Sequence, residues 1–219
     1  MKQEIAMATD LFDIHTHNPH SEDRNIYSVR LGVEPIPTDK ICSAGVHPWD
    51  IEKVDYQQHI STLNSANILA VGECGLDYSI GLDKEIQKSV FEQHIDITKK
   101  RNLPIIIHSV KSLSDTISLL KKRVINTAIF HSFIGSAEQA EEIIRQGWYL
   151  SFGPRSLQSS RCREIIKSAP ISSIFLESDE CQEGVWAVYN EVAMLRNITL
   201  EVLKQQINQN CIKVFESKI

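Results

Sequence analysis

The chain has 219 residues, 42% hydrophobic and 23% charged, a balance that excludes a disordered or fibrous protein and predicts a single domain, residues 1–219, with a sizeable core. A formal charge of −5 excludes a protein that grips nucleic acid through a broad basic surface, because such binding rests on phosphate neutralisation by Lys and Arg. Scattered cysteines without a C-x-x-C pair (Cys42, Cys74, Cys162, Cys181, Cys211) exclude a disulfide framework, and with neither a signal-peptide pattern in Met1 to Asp10 nor an apolar run of membrane-spanning length, the expected location is the cytoplasm.

Short apolar runs rich in β-branched residues alternate with longer stretches of helical period, the pattern of β-α units on a parallel sheet. In chain order, strands are predicted at Leu11–His15, Ile26–Leu31, Ile41–His47 and Ile68–Glu73. The first long helix is Asp83–Arg101, where Ile86, Val90, Phe91, His94 and Ile97 form one stripe opposite Glu85, Lys88, Glu92, Lys99 and Lys100. Strand Pro104–His108, helix Ser112–Arg123, strand Thr127–His131 and helix Ser136–Gln146 follow, with Ser136 and Gln139 spaced as a capping box. Strand Trp148–Phe152, helix Ser160–Ser168 and strand Ser173–Glu177 come next. Two helices, about Gly184–Arg196 and Thr199–Asn208 with a tail to Phe215, close the series.

Eight strands alternating with helices predict an α/β fold, a (β/α)₈ TIM-type barrel. The barrel must be abbreviated: the stretch from His17 to Ile41 is too short for two full helices plus a strand, and Pro35 and Pro37 oppose helix there. Missing or irregular helices are therefore expected in the first third.

Nearly all metal-competent side chains fall at the ends of predicted strands, the active face of such barrels. His15 and His17 are two residues apart on a strand and face the same side, so they can share a cation. Glu73 leaves an apolar strand between Gly72 and Gly75, and a carboxylate there needs a partner. His108 and His131 each end a hydrophobic strand, and Asp179 lies just past the last one, with Glu177 two residues before it. Any one of these alone reads as a hydrogen-bonded structural residue; four histidines and two carboxylates at successive strand ends read together as a divalent-metal site. The mixture of imidazole and carboxylate suits Zn, Mn or Mg without choosing among them.

The ordered series Phe12-Asp13-Ile14-His15-Thr16-His17, Gly45-Val46-His47-Pro48-Trp49, Gly72-Glu73-Cys74-Gly75-Leu76-Asp77-Tyr78, Ile107-His108-Ser109, His131-Ser132-Phe133-Ile134-Gly135-Ser136, Ser151-Phe152-Gly153 and Leu176-Glu177-Ser178-Asp179 resembles the TatD family of metal-dependent deoxyribonucleases, amidohydrolase-like barrels. The resemblance implies two divalent ions per chain, one held by His15, His17 and Asp179, the second by His108 and His131, with Glu73 bridging. It implies hydrolysis of a DNA phosphodiester by a metal-activated water, with Asp179 and Glu73 as the catalytic residues. In that reading Asp77 and Glu177 orient the ligating histidines, and His47 and Lys111 contact the substrate phosphate or, for His47, serve structure alone.

Departures cluster at the active face. Val110-Lys111 stands where the family usually has an Arg, and Glu180-Cys181-Gln182-Glu183-Gly184 runs almost directly into the next helix. The added acids make a polyanion less favoured. Two alternatives follow: a hydrolase of another small ester, amide or phosphoester on the same metals, or a non-catalytic metal-binding subunit of a larger assembly.

Overall fold

The computed structural model describes residues 11–21, 23–64 and 66–215. Met1 to Asp10, weighed above as a leader, lie outside them. The eight predicted strands are all present: β1 Phe12–Thr16, β2 Arg24–Arg30, β3 Cys42–Gly45, β4 Ala70–Asp77, β5 Ile105–Val110, β6 Ala128–Phe130, β7 Tyr149–Phe152 and β8 Ile174–Leu176. They form one sheet in sequence order, β1 through β8, and Thr16 bridges in parallel to Asp179 just beyond β8. This is the nearly closed parallel barrel expected of the α/β pattern.

The helices are α1 Tyr56–Thr62, α2 Lys84–Arg101, α3 Leu113–Arg123, α4 Ala137–Arg145, α5 Pro154–Gln158, α6 Ser160–Ser168, α7 Trp186–Arg196 and α8 Leu200–Phe215. Asp83 caps α2 by accepting from Glu85 N and Ile86 N, and Asn102 ends it in the left-handed conformation. The capping box of Ser136 and Gln139 is formed. Among the described residues no helix lies between Thr16 and Cys42, as the prolines and the short span required. None is long and apolar enough to cross a membrane. Two short helices carry no periodic apolar stripe to announce them: α1, capped by Asp55, and α5, opened by Pro154.

The described chain divides into two compact units, one built from the residues up to Tyr27 together with those from His131 onward, the other from Ser28 to Phe130. In the first, Phe12 packs edge-on to Phe175 at 6.3 Å and against Phe215 at 6.4 Å. The hydroxyl of Tyr189 donates to Phe12 O (2.8 Å) and accepts from Phe12 N–H (3.3 Å). Each fully buried aromatic or branched side chain contributes about 1.5–3 kcal/mol, so β1 is held firmly where its histidines emerge. In the second unit Val71, Leu76, Ile105, Ile106 and Ile107 of the sheet and Val90, Phe91 and Ile95 of α2 are all buried core residues.

Two irregularities in the ladders bear on the site. Between Asp13 and Thr16, β1 spends three steps where β2 spends two, and between Val71 and Cys74, β4 does the same against β5. Each is a bulge of one extra residue, a device that re-aims side chains. One bulge contains His15 and the other Glu73. As a result Glu73 sits in mid-strand, not at the strand end expected from the sequence, and β4 continues to Asp77. Gly72 (φ 132°) and Gly75 (φ 146°) permit this path, because a Cβ at either would overlap the carbonyl oxygens of Ile106 and His108 on β5.

Candidate metal centre

In the first unit His15, His131 and Asp179 place one ligand atom each within 4.8 Å of one another. The rings of His15 and His131 lie 4.3 Å apart, and His15 Nε2 is 3.9 Å from Asp179 Oδ1. The ring of His17 stands edge-on to His15 at 4.9 Å, so the bulge keeps both imidazoles on one side. The backbone sets this arrangement: Asp179 N–H donates to His15 O (3.0 Å), and His17 N–H donates to Asp179 O (2.9 Å). Asp179 adopts φ 57°, a left-handed conformation that Asp tolerates better than most residues. Glu177 is fully buried, and its Oε1 lies 3.1 Å from His131 Nδ1. That contact puts the ring proton on Nδ1 and makes Nε2 the atom for an ion, the carboxylate–histidine–metal pattern.

One residue of this group escaped the sequence reading. Asp13, fully buried, accepts from His15 N–H (3.2 Å), Ser178 N–H (3.1 Å) and Ser178 O–H (2.6 Å), joining β1 to the segment that carries Asp179. Burial pushes its carboxyl up to about 8, against the three hydrogen bonds that favour the charged form. Its partner Ser178 lies 165 residues away, beyond the reach of any local pattern.

In the second unit His47, Glu73 and His108 likewise bring ligand atoms within 4.8 Å, and all three are buried. His108 stands between two carboxylates, with Nδ1 2.8 Å from Glu73 Oε1 and Nε2 3.1 Å from Asp77 Oδ2. Asp77 also accepts from the indole Nε1–H of Trp49 (2.8 Å) and from Ser79. Burial alone would raise its carboxyl, but hydrogen bonds from His108, Ser79 and Trp49 hold it well below the usual carboxylate range.

His47, expected to touch substrate or serve structure, is buried within this group, its Nε2 3.3 Å from both Glu73 Oε1 and His108 Nδ1. Its Nδ1 accepts the backbone N–H of Trp49 (3.2 Å), which leaves the proton of the neutral ring on Nε2. Burial holds its pKa below the ordinary value, favouring that neutral form. His47 thus offers an N–H rather than a lone pair; to ligate an ion it would have to shift its proton and lose the Trp49 bond. Lys111 is exposed just past β5, with φ 53°.

Helix α2 supports this unit through two buried polar residues seven positions apart. Gln87 accepts from Asp77 N–H (2.8 Å) and donates to Asp77 O (2.9 Å) and Leu82 O (3.1 Å). His94 accepts from Val46 N–H (3.0 Å) and pairs with Val90 O (2.9 Å), so it clamps the chain one residue before His47. The periodicity placed His94 on an apolar stripe, and burial is what the structure shows, with a polar task added.

Burial lowers the His94 pKa from 6.5 to about 4. The folded protein therefore resists protonation that the unfolded chain accepts. Its contribution is fully present above pH 6.5 and is lost as the pH falls toward 4, by about 3 kcal/mol in total. Urea denaturation at pH 7 and pH 4.5 should show that loss in the wild type and a smaller one in His94→Gln. An equal pH slope in both proteins would refute the assignment.

Both groups fit a divalent cation. Imidazole nitrogens and carboxylate oxygens converge at spacings that a first-row ion spans. With the Nε2 proton of His108 directed at Asp77, its Nδ1 lone pair faces Glu73 Oε1 at 2.8 Å, a nitrogen and a carboxylate oxygen that a cation could share. The second oxygen of Glu177, Oε2, is buried with no hydrogen-bond partner among the described residues.

Comparison with known proteins agrees with this construction. The sequence profile described as TatD-related DNase matches residues 21–216, beginning just past His15 and His17. The human deoxyribonuclease TATDN3 is 30% identical over 206 residues, covering 84% of this chain and 73% of that protein. YabD of Bacillus subtilis, described as an uncharacterised metal-dependent hydrolase, is 32% identical over 166 residues, covering 68% of this chain and 65% of its own. The crystal structure of YjjV, a TatD homologue from Escherichia coli, superposes with a TM-score of 0.82 at 22% identity, covering 96% of this chain and 99% of that one, and so shares its fold. With a profile match over most of its length, the chain belongs to the TatD-related DNase family, a family of metal-dependent hydrolases on a (β/α)₈ barrel.

Proposed function

We propose that the protein hydrolyses phosphodiester bonds of DNA, using divalent ions held by the two groups of ligands. The observation that carries this reading is the pair of His–carboxylate clusters, each with a second carboxylate, Glu177 or Asp77, aligning a histidine. The name of the human relative, a deoxyribonuclease, supports DNA as the substrate. When bound, such ions lower the pKa of water and offset the negative charge that grows on the phosphate oxygens.

The chain's own residues supply the rest. The resemblance implied His131 beside His108 with Glu73 bridging; in this reading His131 instead joins His15, His17 and Asp179 around one ion, because it clusters with His15 and Asp179, and Glu73 and His108 serve the other. Asp179 would accept one proton of the attacking water as the water oxygen bonds to phosphorus, the P–O bond to the leaving sugar oxygen breaks, and that oxygen takes up a proton from solvent. His47 donates its Nε2–H to a phosphate oxygen, the role its tautomer suits, and Lys111 adds a positive charge at the exposed end of β5. The exposed acids Glu180 and Glu183 beside Asp179 disfavour a long polyanion and favour a single-stranded or frayed end.

Chelation tests the metal requirement directly. Dialysis against EDTA should abolish cleavage of a single-stranded oligodeoxynucleotide and lower the Tm, since a ligand at 100 times its Kd adds about 2.7 kcal/mol to the folded state. Mg²⁺ or Mn²⁺ should restore both. Cleavage that persists in EDTA, or a Tm indifferent to metal, would refute the proposal. Metal-restored stability without cleavage of DNA would shift the reading to another small ester or phosphoester.

A further inference from the structure

Trp49 is 41% exposed although its ring packs against the buried His47 and His108 of the second unit. Its Nε1–H is bonded to Asp77 (2.8 Å), and its ring stands edge-on to His47 at 4.7 Å and near His108 at 5.9 Å. The guanidinium of Arg30 lies 5.9 Å from the ring centroid and is itself fixed by Asp50, through Nε at 2.9 Å and Nη2 at 2.6 Å. A core role does not account for this residue, because two-fifths of it faces solvent. A support role for Asp77 needs only the N–H.

We propose that Trp49 is a stacking platform for a nucleobase of a single-stranded DNA substrate, next to the phosphodiester that His47 contacts. The inference rests on the phosphodiesterase reading given above and adds a recognition element to it. Aromatic faces bind bases of any sequence through dispersion and π contact, and a ring already fixed by neighbours loses little rotamer entropy on binding. The ring's hydrogen bond and edge contacts hold its plane, so the stacked base would be placed in a defined register relative to His47. Such a platform selects a substrate that carries bases over a bare sugar-phosphate chain.

The test compares Trp49→Phe with Trp49→Leu, both of which lose the N–H bond to Asp77 while only the first keeps a ring. Binding is measured with a phosphorothioate oligodeoxythymidylate in Mg²⁺, and with a base-free oligomer of the same length. Trp49→Leu should bind the thymidylate about tenfold more weakly than Trp49→Phe. The base-free oligomer should be bound equally by both. Should Trp49→Leu not fold, protection of wild-type indole emission from acrylamide by the thymidylate oligomer, in a Trp186→Phe background, reads the same contact. Equal affinities of the two variants for thymidylate, an equal gap on the base-free oligomer, or no protection would overturn the stacking role and leave the phosphodiesterase reading standing. A wild-type protein that neither binds nor cuts DNA would overturn both.

Discussion

Asp179→Asn should lower DNA hydrolysis by at least about 10³-fold while leaving the fold intact. The fold is spared because the structural work at this position is done by the backbone, through its N–H to His15 O and its carbonyl to His17 N–H. Asn also tolerates the left-handed φ of 57°, which Ala would not, and so separates chemistry from strain. Under the proposed mechanism the loss follows from removing both a charged carboxylate 3.9 Å from His15 Nε2, offered to the ion, and the acceptor of the water's proton. Initial rates on a single-stranded oligonucleotide, with metal content and Tm measured on the same sample, check this. A variant retaining more than a tenth of wild-type activity would remove Asp179 from the reaction.

The second large effect is expected at Glu73, where replacement by Gln should cost at least about 10²-fold in metal affinity or activity. Glu73 Oε1 faces both His108 Nδ1 and His47 Nε2, so its charge is the natural counterweight to a cation in that unit. The same substitution should not destabilise the metal-free protein and can raise its Tm, because a buried carboxylate is exchanged for a neutral amide of equal size. Activity and metal-free stability should therefore move in opposite directions. A parallel fall in both would mark Glu73 as a structural residue.

Much of the fold could be read from the chain because strands with apolar runs and helices with one wet face carry local signals. Helix α6 has the same limits in sequence and structure, and the candidate ligands His15, His108, His131 and Asp179 stand out in the sequence as polar residues closing or following those runs. What escaped was decided by contacts without a local period. The mid-strand setting of Glu73 follows from a one-residue bulge permitted by Gly72 and Gly75, and no alternation rule anticipates an extra residue. The tautomer of His47 depends on a turn N–H, and Asp13 owes its role to Ser178 at the far side of the sequence. Helix α1 was missed because Tyr56-Gln57-Gln58-His59 shows almost no apolar face.

The division into two units has a consequence for the order in which the site is born. The group of His47, Glu73 and His108 comes from one continuous stretch, so it can assemble as soon as that stretch has left the ribosome. The group of His15, His131 and Asp179 must wait, since Thr16 and Asp179 pair across 163 residues of the 219 and their closure carries the entropy of that long loop. During synthesis, then, the protein passes through an interval in which the cluster of His47, Glu73 and His108 is assembled while the cluster of His15, His131 and Asp179 is still two separate ends. Pulse-labelling of nascent chains stalled before and after Asp179 would time that gap.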